Sequence, residues 1–366
     1  MMPPQPPITR GLKMGMTDEE VAIHDQLNAL RVQVKSIEYS KVVLVGDIML
    51  DRYIHGYANN LNSNAPVPVL RETRREEDVG GAAHVARGLI SMGVNTHLFG
   101  VVGDDRAGMN ILESLENEGV DSTGIAIVEG ITTTVKNRLL ATRESLVNEE
   151  QLLLRWDIEG DEKVPDEAIN ALFEEAIIHL EEATAIILSD YGQGVIVEDG
   201  VKKIIKAASG KNIPVIADPK LTGLHHTHGV DWVIFQANGL ELMRRRLGAD
   251  SGDDAAYMLI NNHNWKHLVV VCGAGGVTIY SEDGSSVHAE CTLTDLRQMI
   301  GLVDAAVVAI AVAISEKLGV SHTAQLVNAA CECILAASSS DSFVLSRDDL
   351  VDRIGEMAWN LQVSKR

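Results

Sequence analysis

The residue whose type and position most clearly suggest a chemical role is an aspartate at the start of an apolar helical run. Asp304 stands three positions after Gly301, and small and branched apolar residues follow it. An aspartate in this place commonly caps the helix by accepting hydrogen bonds from its first backbone N–H groups. A carboxylate beside a reacting hydroxyl can also act as a general base. The residues alone favour the cap, although one side chain could serve both purposes.

Other polar residues and glycines have spacings that fit either a binding site or ordinary structure. Asn238 and Glu241 are three residues apart, as in a polar helix start that Asn238 would cap. Gly273 and Gly276 lie in a glycine-rich turn after a strand-like segment, which by itself indicates only where the strand ends. Asn328, taken alone, would be an ordinary polar residue of a helix.

Three basic residues could hold an anionic ligand. Lys136, Arg138 and Lys220 carry donors that suit phosphate oxygens. For Lys136 and Arg138, a solvated charged face on an exposed ribbon is a serious alternative. Because the whole chain has a formal net charge of -21, the positive charge for a phosphate ester must come from a local cluster of this kind.

The overall composition limits the classes of partner. Charged residues make up 23% of the chain and the hydrophobic set makes up 46%, which is typical of a soluble globular protein. The excess of acidic residues argues against a general nucleic-acid surface and against an anionic-membrane surface. The longest apolar run, 305–314, is too short to cross a bilayer. We therefore expect neither a nucleic-acid partner nor a membrane partner.

The four cysteines do not form a metal-binding pattern. None of them belongs to a Cys-x-x-Cys pair, and their spacing fits no zinc site. They are predicted to be reduced thiols in the core of a cytosolic protein. The first residues contain no apolar segment of a secretory signal, so a cytoplasmic location is expected. The cysteines are Cys272, Cys291, Cys331 and Cys333.

Residues 1–40 form an extension ahead of the main domain. Residues 1–15 are rich in proline and lack a pattern, so they are predicted to be disordered. Met16 could be the true start, because a helix is predicted over 17–38. At the beginning of that helix, Thr17 and Glu20 have the spacing of a capping box. The apolar stripe on the helix favours packing on the domain surface over a coiled coil.

Strand-like and helical segments alternate through the rest of the chain. This order predicts an α/β domain over 41–366, with a mostly parallel sheet covered by helices on both faces. Two segments, near 52–72 and 131–156, look like β-ribbons and are predicted to form a lid over the open end of the sheet. The predicted strands are 41–45, 96–102, 185–189, 213–217, 232–235 and 268–272. The predicted helices are 82–92, 166–181, 198–208, 239–247 and 253–262.

Several sequence blocks, in the same order, resemble the ribokinase (PfkB) superfamily of carbohydrate kinases. Within it they are most similar to the D-glycero-β-D-manno-heptose-7-phosphate kinases. The resemblance covers roughly residues 41 to 350, so the nucleotidyltransferase domain that some members carry is not expected. The blocks are GDIMLDRY at 46–53, APVPV at 65–69, GGAA at 80–83, GVVGDD at 100–105, TVKNR at 134–138, RWD at 155–157, LSDYG at 188–192 and DPK at 218–220.

The resemblance implies a ribokinase-like fold and a kinase that uses ATP and Mg²⁺. The expected reaction phosphorylates the anomeric hydroxyl of a heptose 7-phosphate. Asp304 would be the catalytic base, and Gly301 would begin the loop that meets the transferred phosphate. Glu241 would hold Mg²⁺ through water. The expected nucleotide-side residues are Asn238, Glu241, Gly273, Gly276 and Asn328.

The resemblance also implies where a sugar phosphate binds. Asp51 would accept hydrogen bonds from sugar hydroxyls, while Gly80 and Gly81 would let the backbone approach the ligand closely. A homodimer formed through the lid is a further expectation. The expected substrate-binding residues are Asp47, Asp51, Gly80, Gly81, Lys136, Arg138, Asp190 and Lys220.

The chain departs from the family pattern at four places. The family's loop reads Asp-x-Thr-Gly-Ala-Gly-Asp, whereas residues 298–304 read QMIGLVD. The second glycine has become Val303, and a β-branched residue suits neither a positive φ nor a close approach of phosphate. His84 stands where the family has asparagine, and Gln193 stands where it has lysine. The segment 60–64 lacks the family's arginine.

These departures leave three functions open. The first is a heptose-phosphate kinase. The second is a catalytically silent pseudokinase that binds a sugar, a nucleotide or a protein partner. The third is a kinase for another sugar. The altered loop separates the first function from the second, and the lost basic residues separate the first from the third.

Overall fold

Thirteen strands and ten α-helices make up the parts of the chain that the computed structural model describes, which are residues 16–37, 40–143, 146–337 and 343–363. The strands are β1 (Lys41–Gly46), β2 (Ile48–Leu61), β3 (Pro68–Gly81), β4 (Asn95–Gly103), β5 (Asp121–Val128), β6 (Val135–Arg143), β7 (Leu146–Ile158), β8 (Ala185–Ser189), β9 (Val215–Asp218), β10 (Trp232–Gln236), β11 (His267–Val271), β12 (Val277–Ser281) and β13 (Ser286–Ala289). The helices are α1 (Asp18–Lys35), α2 (Ala82–Ser91), α3 (Arg106–Asn117), α4 (Asp166–Ile178), α5 (Glu198–Ser209), α6 (Ala237–Leu247), α7 (Gly252–His263), α8 (Leu302–Ser315), α9 (Val320–Ala336) and α10 (Arg347–Val363).

Nine of these strands form the central sheet, in the order β13-β12-β11-β10-β9-β8-β1-β4-β5. The strands from β11 to β5 are parallel, whereas β12 and β13 are added at one edge by antiparallel pairing. Residues 42–45 of β1 are all buried between β4 and β8. Strands that are buried on both faces have nearly continuous apolar sequences, so this sheet could be predicted. The expected mostly parallel α/β fold is confirmed.

Helices cover both faces of the central sheet. Side chains alternate along β1, so Val42 packs on one face and Val43 packs on the other. The first face carries α1, α2, α3, α8, α9 and α10, and the second carries α4, α5, α6 and α7. Helix α8 is apolar over most of its surface because it is buried against β8, β9 and β10. Within the described ranges, no helix is both long and apolar enough to cross a membrane.

Helix α1 packs against α9 and α10. It begins with a capping box, in which Thr17 Oγ1 accepts the Glu20 N–H at 3.2 Å and Glu20 Oε2 accepts the Thr17 N–H at 2.7 Å. Its apolar side, which includes Leu27 and Leu30, is buried in the core. Residues 1–15, for which disorder was predicted, lie outside the described residues.

The remaining four strands form a second sheet, which we name the lid sheet, in the order β3-β2-β6-β7. Strands β2 and β3 pair in antiparallel fashion, as do β6 and β7, and β2 pairs with β6 in parallel. Strand β2 begins at Ile48, directly after β1 has ended at Gly46. The lid sheet therefore extends from the carboxyl end of a central strand, and ligands commonly bind at this end of α/β sheets.

Candidate active site

Two cavities meet at the start of α8. The larger, of about 410 Å³, lies at the carboxyl ends of the central strands and is named the sheet-side cavity; its lining includes Asp190, Asp218, Lys220, Leu221, Phe235 and Met299. The smaller, of about 200 Å³, lies at the lid sheet and is named the lid-side cavity; its lining includes Asp51, His84, Lys136, Arg138 and Arg155. Tyr191, Gly301 and Asp304 line both. The two cavities therefore share a wall at Asp304.

The turn before α8 requires a glycine. Gly301 has a φ of 82°, which lies in the left-handed region that other residues rarely adopt. A Cβ at this position would stand 3.4 Å from His84 Nε2 and 4.0 Å from Asp304 Oδ2, so glycine also keeps the junction of the cavities open. In the described part of the chain, no acceptor faces the backbone N–H groups of Val303 and Asp304. These groups can bind an anion at the helix start.

Asp304 is not the cap of α8, because Gly301 occupies the cap position and Asp304 is the third helical residue. Asp304 Oδ1 instead accepts the Tyr191 hydroxyl at 2.9 Å. Burial raises the pKa of Asp304 above its usual range, and the His84 charge and the Tyr191 hydrogen bond partly offset this rise. Burial and the Asp304 charge raise the pKa of Tyr191 well above its ordinary value. The phenol therefore remains a protonated donor.

Basic side chains from β6 and β7 line the lid-side cavity. Lys136 is buried, and its Nζ lies 5.0 Å from the centre of the Tyr191 ring. Burial lowers the pKa of Lys136, while the Asp51 charge partly restores it. Arg138 and Arg155 lie on the same cavity wall. Lys136 and Arg138 therefore do not belong to the solvated charged face that was the alternative interpretation of the sequence.

Asp51 and Arg138 form an ion pair at the wall of the lid-side cavity. Arg138 Nη1 lies 2.8 Å from Asp51 Oδ1, and the side chains are only 13% and 15% exposed. Neither Asp51 Oδ1 nor Arg138 Nη1 makes a hydrogen bond within the described residues, so both buried atoms can still bond to a ligand. A Cβ on Gly80 would stand 2.8 Å from Asp51 Oδ2 and would displace the carboxylate. Gly81, with a φ of 61°, precedes α2 and lines the cavity.

Carboxylates line the sheet-side cavity. Burial raises the pKa of Asp190, and it raises that of Asp218 well above the ordinary value, with a further contribution from the Asp304 charge. Lys220 is the only basic side chain among the described lining residues, and its Nζ donates to the Tyr191 carbonyl at 3.3 Å. Lys220 was expected to hold the phosphate of the sugar. In the structure Lys220 lines the sheet-side cavity and does not line the lid-side cavity.

Asp47 is buried and holds a loop of the site in place. Its carboxylate accepts the backbone N–H groups of Tyr191 at 2.8 Å, Gln193 at 3.0 Å and Val195 at 3.0 Å. It is 1% exposed and lines neither the lid-side nor the sheet-side cavity. The expectation that Asp47 contacts the substrate is therefore replaced by a positioning role, because its oxygens hold the loop that carries Tyr191.

The expected Mg²⁺ residue, Glu241, is held by two arginines. Arg244 donates to it through Nε at 2.7 Å and Nη2 at 2.9 Å, and Arg245 donates through Nε at 2.8 Å. These bonds lower the pKa of Glu241 to about 2. Asn238 is exposed in the first turn of α6, and Gln236 rather than Asn238 occupies the cap position. Neither Asn238 nor Glu241 lines either of the two cavities.

Gly273 and Gly276 form a turn beside the sheet-side cavity. Gly276 has a φ of 75°, and a Cβ there would collide with the Ala289 carbonyl oxygen. The turn itself therefore requires this glycine. A Cβ on Gly273 would stand 3.6 Å from Met299 Cε, and Met299 lines the cavity. The pair thus shapes the surroundings of the cavity without lining it.

Asn328 belongs to a buried polar network rather than to a cavity wall. Its Nδ2 donates to the Glu290 carbonyl at 2.9 Å and to Glu332 Oε1 at 3.1 Å. Glu332 also accepts the Thr292 N–H at 2.6 Å and Arg353 Nε at 2.7 Å. The network fixes the start of the segment that leads from β13 to α8. Asn328, which was expected on the nucleotide side, lines neither of the two cavities.

The donor chemistry of the sheet-side cavity fits a nucleotide that brings its own Mg²⁺. Asp190 and Asp218 offer hard oxygen atoms, and Leu221, Phe235 and Met299 offer an apolar wall. Within the described ranges, no three or more Asp, Glu, His or Cys side chains are grouped as a metal site. Magnesium commonly binds through one or two carboxylates, water and substrate phosphates. A dedicated metal cage is therefore not required.

Several lining residues are absent from the predicted site, among them Tyr191, Arg155, Asp218 and His84. Tyr191, Arg155 and Asp218 all lie in the blocks LSDYG, RWD and DPK, so the signal was present in the sequence. His84 was noticed only as a departure from the family pattern. Its position beside Gly301 depends on how α2 packs against α8, which no local pattern encodes.

Known proteins resemble this chain over most of its length. Residues 40–346 match the profile described as pfkB family carbohydrate kinase. The bifunctional protein HldE of Hyphomonas neptunium is 33% identical over 285 residues, which cover 75% of this chain and 56% of that protein. The D-beta-D-heptose 7-phosphate kinase of Bordetella bronchiseptica is 33% identical over 280 residues, which cover 75% of this chain and 84% of that protein. The chain spans about half the length of the bifunctional relatives.

Solved structures share the fold. The structure of Arabidopsis thaliana ribokinase complexed with ribose and ATP matches with a TM-score of 0.65 and 16% identity. The match covers 87% of this chain and 99% of that chain. At this level of identity the similarity shows the architecture alone.

Proposed function

Because the chain belongs to the pfkB family of carbohydrate kinases, we propose that it is an ATP- and Mg²⁺-dependent kinase of a phosphorylated sugar. The proposed reaction phosphorylates the anomeric hydroxyl of a heptose 7-phosphate or of a related sugar phosphate. The observation that carries this proposal is the junction of two cavities at Asp304. The lid-side cavity would hold the sugar phosphate, and the sheet-side cavity would hold the nucleotide.

The charge of the lid-side cavity supports a phosphorylated acceptor. Lys136, Arg138 and Arg155 surround it, and Asp51 is close enough to accept bonds from sugar hydroxyls. A hydrogen bond to a charged group contributes about 1.5–3 kcal/mol, so two of them would distinguish a sugar phosphate from the free sugar. A heptose is supported by the relative named D-beta-D-heptose 7-phosphate kinase.

In the proposed reaction Asp304 acts as the general base. Since Tyr191 occupies its Oδ1, Oδ2 would take the proton of the acceptor hydroxyl. The N–H groups of Val303 and Asp304 would face the phosphoryl group during transfer. When bound with ATP, Mg²⁺ neutralises phosphate charge, and Asp190 and Asp218 are the side chains that would hold it. Membership of the carbohydrate kinase family supports this use of a nucleotide.

A catalytically silent pseudokinase is the second candidate, and Val303 favours it. Val303 lines the sheet-side cavity and adds bulk where the family has glycine. Leu302 lines the same cavity but is 1% exposed and belongs to the hydrophobic core, whereas Val303 is only partly buried. Both residues retain their backbone N–H groups. The loop therefore keeps the donors that a kinase needs, which supports the first candidate.

Release of ADP from Mg·ATP, measured across a panel of sugars and sugar phosphates, tests the proposal. We expect release with a heptose 7-phosphate and much less with its unphosphorylated analogue. The Asp304→Asn variant, purified in the same way, accounts for contaminating kinases. Release with a different sugar alone would support the third function. Binding of ATP or sugar phosphate without release for any acceptor would support the pseudokinase.

We also propose that two copies associate through the outer face of the lid sheet. Leu154 and Trp156 lie on one face of β7 and are 56% and 55% exposed. Arg155, between them, lines the lid-side cavity, so the apolar side chains face away from the site. Strand β7 is also an edge strand. A second copy would cover both the apolar face and the unpaired edge.

Sedimentation of Trp156→Lys tests this association, with Trp359→Lys as a matched control on another exposed tryptophan. We expect a dimer that only the Trp156 variant loses. A monomeric wild-type chain, or a dimer that survives in the Trp156 variant, would contradict the proposed interface.

A further inference from the structure

His84 faces the point where the two cavities meet. It lies on α2 and lines the lid-side cavity. Its Nε2 is 3.4 Å from the position that a Cβ on Gly301 would occupy, and Asp304 Oδ2 is 4.0 Å from the same position. Within the described part of the chain, the imidazole makes no hydrogen bond. His84 Nε2 and Asp304 Oδ2 therefore both border the space that a side chain at Gly301 would otherwise fill.

Asp304 has one oxygen left for a substrate. Its Oδ1 accepts the Tyr191 hydroxyl, whereas Oδ2 lies toward Gly301 and His84. A hydroxyl bound to Oδ2 would bring both its own oxygen and the phosphorus that it attacks close to His84 Nε2. The charge of His84 also opposes the effect of burial on the pKa of Asp304, so the two groups already interact in the free protein.

The loop before α8 gives a reason for an additional donor. Phosphoryl transfer spreads negative charge over three equatorial oxygens. The helix start offers the N–H groups of Val303 and Asp304, but the Val303 side chain hinders the close approach that glycine would allow. A donor from another element, beside Gly301, would compensate for this. A hydrogen bond from an imidazolium is charge-assisted and roughly twice as strong as a neutral one.

We propose that His84 is a catalytic residue that donates a hydrogen bond from Nε2 to the phosphoryl group during transfer. This inference rests on the proposed kinase function. The acceptor oxygen forms its bond to the γ-phosphorus while the bond from that phosphorus to the bridging oxygen breaks, and the electron pair leaves with ADP. The hydroxyl proton passes to Asp304 Oδ2. His84 keeps its own proton throughout.

Other ionisable groups share the cavity, and the test must separate them from His84. Burial raises the pKa of Asp304 and lowers that of Lys136, so both groups can contribute to the pH dependence of the wild type. Comparison of the variants at one fixed pH removes this ambiguity. The groups that face the cavity are Asp51 and Tyr53 on β2, Lys136 and Arg138 on β6, Arg155 on β7, Tyr191 after β8 and Asp304 on α8.

The His84→Asn variant, which carries the residue of the family, is the principal test. We expect kcat to fall about 10²-fold, as for the loss of one oxyanion donor, while KM for both substrates changes little. His288→Asn, at an exposed histidine on β13, should leave kcat unchanged. A kcat equal to that of the wild type, or a loss confined to KM, would overturn the proposal.

Binding of a transition-state mimic separates this inference from the kinase function itself. ADP, Mg²⁺ and aluminium fluoride together imitate the phosphoryl group in transfer, and calorimetry measures their affinity with a sugar phosphate present even when turnover is slow. We expect His84→Asn to weaken this complex by about tenfold to a hundredfold and to leave the affinity for ADP unchanged. Equal affinities for the mimic would overturn the role of His84. Absence of ADP release by the wild type would count against the kinase function, and the mimic would still decide on His84.

Discussion

The two cavities that meet at Asp304 carry opposite charges on their walls. The basic residues of the lid-side cavity are Lys136, Arg138 and Arg155, whereas the acidic residues of the sheet-side cavity are Asp190 and Asp218. The positive charge of the lid-side cavity contrasts with the net charge of -21 on the whole chain. Its cations are supplied by the lid sheet, while the carboxylates follow the central strands β8 and β9.

In the proposed reaction, this difference indicates how each phosphate would be neutralised. A phosphate on the sugar would be balanced by protein side chains alone. Phosphates of a nucleotide in the other cavity would face carboxylates whose pKa values are raised by burial, so a divalent cation would have to arrive with them. The contrast therefore predicts that the two substrates depend differently on protein charge, and the four variants below test this from the largest expected effect to the smallest.

The largest effect on kcat is expected at Asp304, where the two cavities meet. Asp304→Asn should lower kcat by about 10²–10⁴-fold, because the acceptor hydroxyl loses its general base. The affinities for ATP and for the sugar phosphate, measured by calorimetry, should persist. Asp199→Asn, at an exposed position of α5, is the matched control. Near wild-type ADP release by the Asp304 variant would mean that another group serves as the base.

The elements that hold this junction were predictable because their signals are local. Apolar runs predict the buried strands, and Thr17 with Glu20 predicts the start of α1 by spacing alone. The block LSDYG and the glycine before Asp304 likewise lie at the site. These features depend only on residues that are close together in the sequence.

Roles that depend on distant partners were not predictable in this way. The family resemblance predicts a substrate contact for Asp47, but its carboxylate accepts hydrogen bonds from N–H groups more than 140 residues away. Glu241 is different, because Arg244 and Arg245 stand at helical spacings from it and their pairing was visible in the sequence. The family resemblance outweighed that local signal, and the structure follows the local signal.

The second effect tests the cationic cavity. Arg138→Ala should weaken binding of a sugar phosphate more than binding of its unphosphorylated analogue, by about 1.5–3 kcal/mol for a charge-assisted bond. ATP affinity should be unchanged, since Arg138 lines only the lid-side cavity. Lys203→Ala on α5 removes a surface charge elsewhere and is the control. Equal losses for the two sugars would show that Arg138 supports Asp51 rather than phosphate.

The third effect concerns the loop between the cavities. Val303→Gly should raise kcat by about tenfold, a fraction of the 10²–10³ that one oxyanion donor is worth. The glycine removes bulk from the sheet-side wall and leaves the N–H groups in place. Leu302→Ala, in the same loop but directed into the core, should give no such gain. If the wild type is already fast and the glycine variant is no faster, the loop tolerates Val303.

The smallest effect tests the acidic cavity in the absence of ligands. Burial raises the pKa of Asp218 well above its ordinary value, so the folded chain retains a proton that the unfolded chain would release at lower pH. The resulting stabilisation is complete below the ordinary pKa of an aspartate, about 3.9, and is lost as the pH rises through the raised value. Asp218→Asn has no charge to bury. It should therefore raise the melting temperature by about 1–3 °C at neutral pH and hardly at all in acid.

Addition of Mg·ATP should reduce this gain, because a bound cation favours the Asp218 carboxylate that the variant lacks. Asp199→Asn again serves as the exposed control, and differential scanning calorimetry at several pH values supplies the measurement. Equal melting temperatures for wild type and Asp218→Asn at every pH would show that the carboxylate is already balanced in the free protein. The sheet-side cavity would then not need a cation from the nucleotide, and the contrast between the two cavities would rest on the lid side alone.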